Sequence, residues 1–153
     1  MLATWLDMNS STNKNKILLH LEYEHVWIDH PLDLVVKMDD RTLHIDVSGA
    51  KHTTIDKEIA VEPGDHALTL SVSNKNNTST TVDEHENILE DSYIKIKKLL
   101  IDDFDFGQIM ATESKHTDIN NNITISPGGL YTNGTWSLSF TTPVYIWLLE
   151  KLF

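Results

Sequence analysis

Eight histidines and 23 acidic residues are spread over a 153-residue chain, and a catalytic or metal site would have to be made from them. Their spacing selects little. His20 and His25 fall on opposite parities of an extended segment and so point to opposite faces. His44 and Asp46, two residues apart, share a face and could grip a metal on a sheet surface, but a working site needs three or four ligands with hydrogen-bonded support. A solvated strand pair is the plainer reading. His66 has the apolar parity of its strand and reads as a strand-end residue with a local hydrogen bond. Among the carboxylates, Asp102, Asp103 and Asp105 lie close together, as do Asp83, Glu84, Glu86, Glu90 and Asp91, and calcium takes six to eight oxygens from such groups. The loop pattern D-x-[DN]-x-[DN]-G is not met, because Asp103-Phe104-Asp105-Phe106-Gly107 places glycine where the third ligand belongs. An acidic turn in an acidic chain accounts for it.

Other chemistry is excluded or unselected. With no cysteine, disulfide scaffolds, thiolate catalysis and zinc ribbons are out. No phosphate-binding glycine loop, G-x-S-x-G or H-E-x-x-H pattern occurs, and nothing singles out a pair of carboxylates, so no enzyme activity is expected. Twelve basic residues against 23 acidic ones give a net charge of −11, and only Lys95, Lys97 and Lys98 cluster. A nucleic-acid partner is therefore not expected. No stretch approaches the roughly 18 apolar residues of a membrane span. Residues 1–16 lack the basic start and apolar run of a signal peptide, so synthesis in the cytoplasm is expected. The N-x-S/T asparagines Asn9, Asn76, Asn77, Asn122 and Asn133 then read as turn residues.

The aromatic residues Trp5, Trp27, Trp136, Trp147, Tyr23, Tyr93, Tyr131 and Tyr145 are the remaining resource. Exposed rings on a sheet can stack on sugars. Tyr93, on the polar parity beside Lys95 and Lys97, is the best candidate for glycan binding. Trp136, in register with Leu138 and Phe140, reads as core.

Period-two alternation dominates the elements that must position these groups. Ile17, Leu19, Leu21 and Tyr23 share one parity, with Leu18 as the exception. Leu32, Leu34, Val36 and Met38 repeat the pattern, Asp39-Asp40 turns the chain, and Leu43, Ile45 and Val47 return as the apolar side of a hairpin. Ile55, Ile59 and Val61 precede the turn Glu62-Pro63-Gly64-Asp65, which leads into Leu68, Leu70 and Val72. Asn74 to Asn87 reads as a long loop or irregular hairpin. Ile94 and Ile96 start a strand that loses its alternation at Leu99-Leu100-Ile101, where both faces would be covered. Weaker strands are expected around Ile109 and around Ile123 and Ile125, and a stronger one at Trp136, Leu138 and Phe140. Eight or nine short strands so spaced indicate an all-β, two-sheet antiparallel β-sandwich of jelly-roll type in a single domain.

The end of the chain changes character. Thr142 can cap, and Pro143 can open, a helix over Val144 to Phe153, while an extended final strand is the competing reading. In either form Val144, Tyr145, Trp147, Leu148, Leu149, Leu152 and Phe153 make a segment too apolar for a solvated end. It is expected to dock on another chain, a second copy included.

Two resemblances bear on function. His66 to Asn74, a polar loop and then Asp91-Ser92-Tyr93-Ile94-Lys95-Ile96 resemble the paired strands of small calcium-dependent xylan-binding carbohydrate-binding modules. That likeness implies a glycan partner and calcium held by Asp83, Glu90 or Asp91. Residues 66 to 153 are also similar to virion structural proteins of large contractile-tailed phages of marine cyanobacteria. The shared features are the His-x-Leu strand, Val82-Asp83-Glu84, Leu100-Ile101-Asp102 and the closing Phe140 to Glu150 run. This second likeness implies a non-enzymatic particle component, made in the host cytoplasm, that binds other virion proteins or itself through its C-terminal segment.

Overall fold

The structure, a computed structural model, describes residues 16–152; Trp5, Asn9 and Phe153 lie outside the described residues. One sheet takes β1 (Lys16–Val26), β4 (His52–Ala60), β8 (Tyr93–Ile101) and β12 (Gly129–Leu130) in the order β12-β8-β1-β4, with β9 (Phe104–Asp105) paired to β8. The facing sheet takes β2 (Asp33–Met38), β3 (Arg41–Asp46), β5 (Gly64–Ser73), β10 (Lys115–Asp118), β11 (Ile123–Ile125) and β13 (Gly134–Thr142) in the order β11-β10-β13-β5-β2-β3. A separate hairpin, β6 (Thr80–Val82) with β7 (Ile88–Asp91), gives the polar stretch its irregular form. Between the sheets lie the alternate residues of the expected parities, among them Leu19, Leu21, Leu34, Val36, Leu68, Leu70, Trp136 and Leu138, all buried. This is the two-sheet antiparallel sandwich that the alternation indicates. No helix among the described residues is long and apolar enough to cross a membrane.

Two register shifts overturn local expectations. Opposite β1, Glu22 pairs with Lys98 but Tyr23 with Ile96, so Lys97 is an extra residue. Beyond it the phase of β8 reverses: Leu99 and Ile101 enter the core and Leu100 turns outward, which explains the apolar triplet without covering both faces. In the β2–β3 hairpin, Val36 pairs with His44 and Lys37 with Thr42, leaving Leu43 as the extra residue. A slip of one residue exchanges the faces. Ile45 and Val47 are therefore exposed and Asp46 is buried, the reverse of the expected pattern. His44 and Asp46 do share a face, but it is the core side, where Asp46 accepts the Tyr23 hydroxyl and the Ser48 amide and hydroxyl. Burial, then the bond to Asp46, pushes the Tyr23 hydroxyl well above its usual range.

Two helices close the sandwich. Around Ile109 the chain forms α1 (Gly107–Glu113) rather than a strand, with Ile109 and Met110 buried beneath it. The last segment is α2 (Val144–Leu152). Thr142 does not cap it, because its hydroxyl donates to the Glu62 carbonyl at 3.2 Å. The helix buries Val144, Trp147 and Leu148 at helical spacing, with the Trp147 ring stacked on Phe106 at 5.8 Å and edge-on to Phe140 at 6.5 Å. These three side chains close their own core and are not docking groups. Tyr145, Ile146, Leu149 and Leu152 remain exposed on the outer side.

Candidate functional site

The free edge of the first sheet gathers the groups best placed to hold a ligand. Gly129 pairs with Lys95 and Leu130 with Ile94, a two-residue strand that carries Tyr131 alongside Tyr93. The two rings lie 5.2 Å apart, tilted by 40°, and Tyr131 is 48% exposed. Gly129 and Tyr131 are two apart and so share the outer face, and the Tyr131 ring folds down over the space where a side chain at 129 would be. A Cβ there would stand 2.2 Å from the ring's Cε2. Glycine leaves the ring free to lie there, and a side chain at 129 would push it away.

A partly buried cation fixes the pair from below. Lys75 Nζ donates to Asp91 Oδ1 at 2.7 Å, to the Ser92 carbonyl at 2.8 Å and to the Tyr131 carbonyl, which uses all three of its donors. It thus ties the residue before Tyr93 to the backbone of Tyr131. Asn133 holds the same lysine's backbone from both sides, accepting from its N–H at 2.9 Å and donating to its carbonyl at 2.8 Å. Asp91 also accepts from the Thr80 hydroxyl at 2.6 Å and the Ser92 amide at 2.9 Å. Burial works to raise its pKa, but the bonds from Lys75 and Thr80 outweigh burial and hold the carboxyl below the usual range.

Beside the rings, where the two sheets part, is an open cleft of about 510 Å³ lined by Lys95, His116, Thr124, Ser126, Tyr131 and Thr132 among others, with no acidic residue in its wall among the described residues. His116 is only 7% exposed, and its Nε2 is buried with no hydrogen-bond partner among the described residues. An aromatic platform, three hydroxyls and a lysine suit a polar ligand with a flat apolar face. A cleft of about 540 Å³ at the sandwich end contains the Asp39–His66 pair, Ser137 and Ser139. It does not form a nucleophile–base arrangement, since the two His66 ring nitrogens are taken by Asp39 at 2.7 Å and the Glu62 carbonyl at 2.5 Å.

The expected calcium ligands are not brought together. Asp83 is turned into its own hairpin, accepting from the His85 and Asn87 amides, and the bond from the Asn87 backbone leads in holding its pKa below the usual range. Glu90 is exposed, and Asp91 is engaged by Lys75. No group of three or more His, Asp or Glu side chains among the described residues could hold a metal. Asp102 and Asp105 likewise serve backbone amides, those of Leu18 and Gly107. Tyr93 lies on the outer face as its parity requires, but Tyr131, Gly129, Lys75 and His116 were not singled out in the sequence. The one local signal was the Gly-x-Tyr spacing.

No family model matches the sequence, and no curated protein matches it. The fold is similar to that of a solved carbohydrate-binding module, vCBM60 in complex with galactobiose, with a TM-score of 0.50 and 10% identity over 79% of this chain and 96% of that one. A selenomethionine form of vCBM60, from work on two families of calcium-dependent carbohydrate-binding modules linked by circular permutation, aligns with a TM-score of 0.47 and 12% identity over 80% and 89% of the two chains. At this identity the likeness concerns the fold: a carbohydrate-binding-module sandwich.

Proposed function

We propose that the protein is a non-catalytic carbohydrate-binding module that takes a sugar chain at the cleft walled by Tyr131, the ring that Tyr93 packs against. The observation that carries this reading is the aromatic pair itself, held by the Lys75 clamp at the mouth of a hydroxyl-lined cleft. A pyranose ring has an apolar face that lies on an aromatic ring and hydroxyls that need donors and acceptors at its rim, and this cleft offers both. The module of similar fold, described with galactobiose, supports the same class of ligand. Affinity electrophoresis against a polysaccharide panel, followed by calorimetry on the best ligand, tests the reading. Retardation by at least one polysaccharide, lost in Tyr131→Ala while the variant stays folded, is expected. No retardation, or retardation indifferent to Tyr131→Ala, refutes it.

A second reading, a virion component docking on other virion proteins or on its own copies, draws on the sequence resemblance and on the outward stripe Tyr145, Ile146, Leu149 and Leu152 of α2. Co-sedimentation with an assembled particle, abolished by Leu149→Glu, is its test. A chain that stays monomeric and sediments with no particle refutes it.

A further inference from the structure

The cleft stands out in charge. The chain carries a net charge of −11, yet among the described residues no carboxylate lines this cleft, and Lys95 does. Lys95 belongs to the one cluster of cations in the sequence, and Lys97 and Lys98 follow it along β8. Across the strand Lys95 pairs in register with Glu24, whose carboxylate lies 4.0 Å from the Lys97 ammonium. On its other side Lys95 has only Gly129, so its ammonium is free to reach over the cleft beside Tyr131. Among the described residues Lys95 makes no ion pair, as is also true of Lys37, Lys51, Lys57, Lys98 and Lys115. His116, itself only 7% exposed, forms part of the same wall.

We infer that the sugar chain bound here carries anionic groups, uronic carboxylates or sulfate esters, with the anion against Lys95 and the sugar ring on Tyr131. This rests on the reading of the cleft as a glycan site and specifies the class of glycan. The overall negative charge does not prevent it, because beyond the screening length of about 8 Å at physiological salt the distant carboxylates contribute little and the local cations decide. A charge-assisted hydrogen bond from Lys95 is worth about a tenfold change in affinity.

The test compares polygalacturonate, a sulfated galactan and neutral galactan by calorimetry, at low and high sodium chloride, on the full chain and on Lys95→Met and Tyr131→Ala. The expected result is binding of at least one of the two anionic polymers about tenfold tighter than neutral galactan at low salt. That preference should be erased by Lys95→Met and weakened by high salt. The anionic arm that binds identifies the group. Equal affinity for all three, or a preference that survives Lys95→Met, overturns the anionic assignment while leaving the glycan reading intact. Anionic binding that persists in Tyr131→Ala shows adhesion to lysines alone and overturns it as well. If no polymer binds the unaltered chain, the glycan reading falls and this inference falls with it.

Discussion

Adding one methyl group to Gly129 separates the role of the aromatic platform from that of the fold. A Cβ at this position would sit 2.2 Å from Tyr131 Cε2, 3.0 Å from Cζ and 3.1 Å from Cδ2, where ordinary contact begins at 3.4 Å. The shortfall of about 1.2 Å at the nearest atom has to be made up by the ring, because the opposing backbone of β8 is held in register. Tyr131 is half-exposed and can swing outward, so Gly129→Ala should lower the melting temperature by only about 2–4 °C while breaking the 5.2 Å alignment with Tyr93. The lost ring pairing is worth about 1 kcal/mol. Losing roughly 80 Å² of apolar contact with a sugar face removes about 2 kcal/mol, or about thirtyfold in Kd. Calorimetry on the best polysaccharide reads the affinity, and a double-mutant cycle with Tyr131→Ala reads the mechanism: in the alanine background Gly129→Ala should have no further effect. Unchanged affinity in Gly129→Ala, or a full additional loss on top of Tyr131→Ala, would refute the platform argument.

Three further outcomes are expected. Lys75→Met leaves the half-buried Asp91 carboxylate without its cation, and urea denaturation should show a loss of about 3 kcal/mol, partly recovered in Lys75→Met/Asp91→Asn. Trp147→Ala, or removal of residues 144–153, should lower stability by about 3 kcal/mol or more through the cavity left against Phe106 and Phe140; a folded chain of unchanged stability with altered assembly would contradict the core assignment of α2. His20 is bridged to Glu22 at 2.7 Å and Asp56 at 2.6 Å, and the bond to Glu22, then that to Asp56, raises its pKa above the ordinary 6.5. That contribution is fully present below about pH 6.5 and lost as pH rises through the raised value, so the melting-temperature deficit of His20→Gln should be larger at pH 5.5 than at pH 8.5.

The sandwich was legible wherever side-chain parity ran unbroken, as in Trp136-Leu138-Phe140, because a half-buried strand writes its period into the sequence. Parity failed at single inserted residues. Neither Lys97 nor Leu43 looks unlike its neighbours, yet each reverses the faces beyond it, sending Leu100 outward and Asp46 inward. The seven residues of α1 were too few to show a helical period. At the site, Tyr93 could be read as an outward ring from its own strand. Tyr131 could not be joined to it, since their meeting depends on β12, two residues long and paired to a strand more than thirty residues earlier in the chain.

Asp91 marks the limit most clearly. A carboxylate flanking a polar loop suggested a cation from solution, and in the fold its cation is the ammonium of Lys75, delivered from the start of that same loop. Sequence shows the anion and the lysine, but not that the loop folds back on itself to bring them within 2.7 Å. Once joined, the pair uses the ammonium's remaining donors to tie the Ser92 and Tyr131 carbonyls together. The charge that first suggested a metal site therefore sets the spacing of the two rings, and ligand affinity should depend on Asp91 through Tyr131 position rather than through any bound ion.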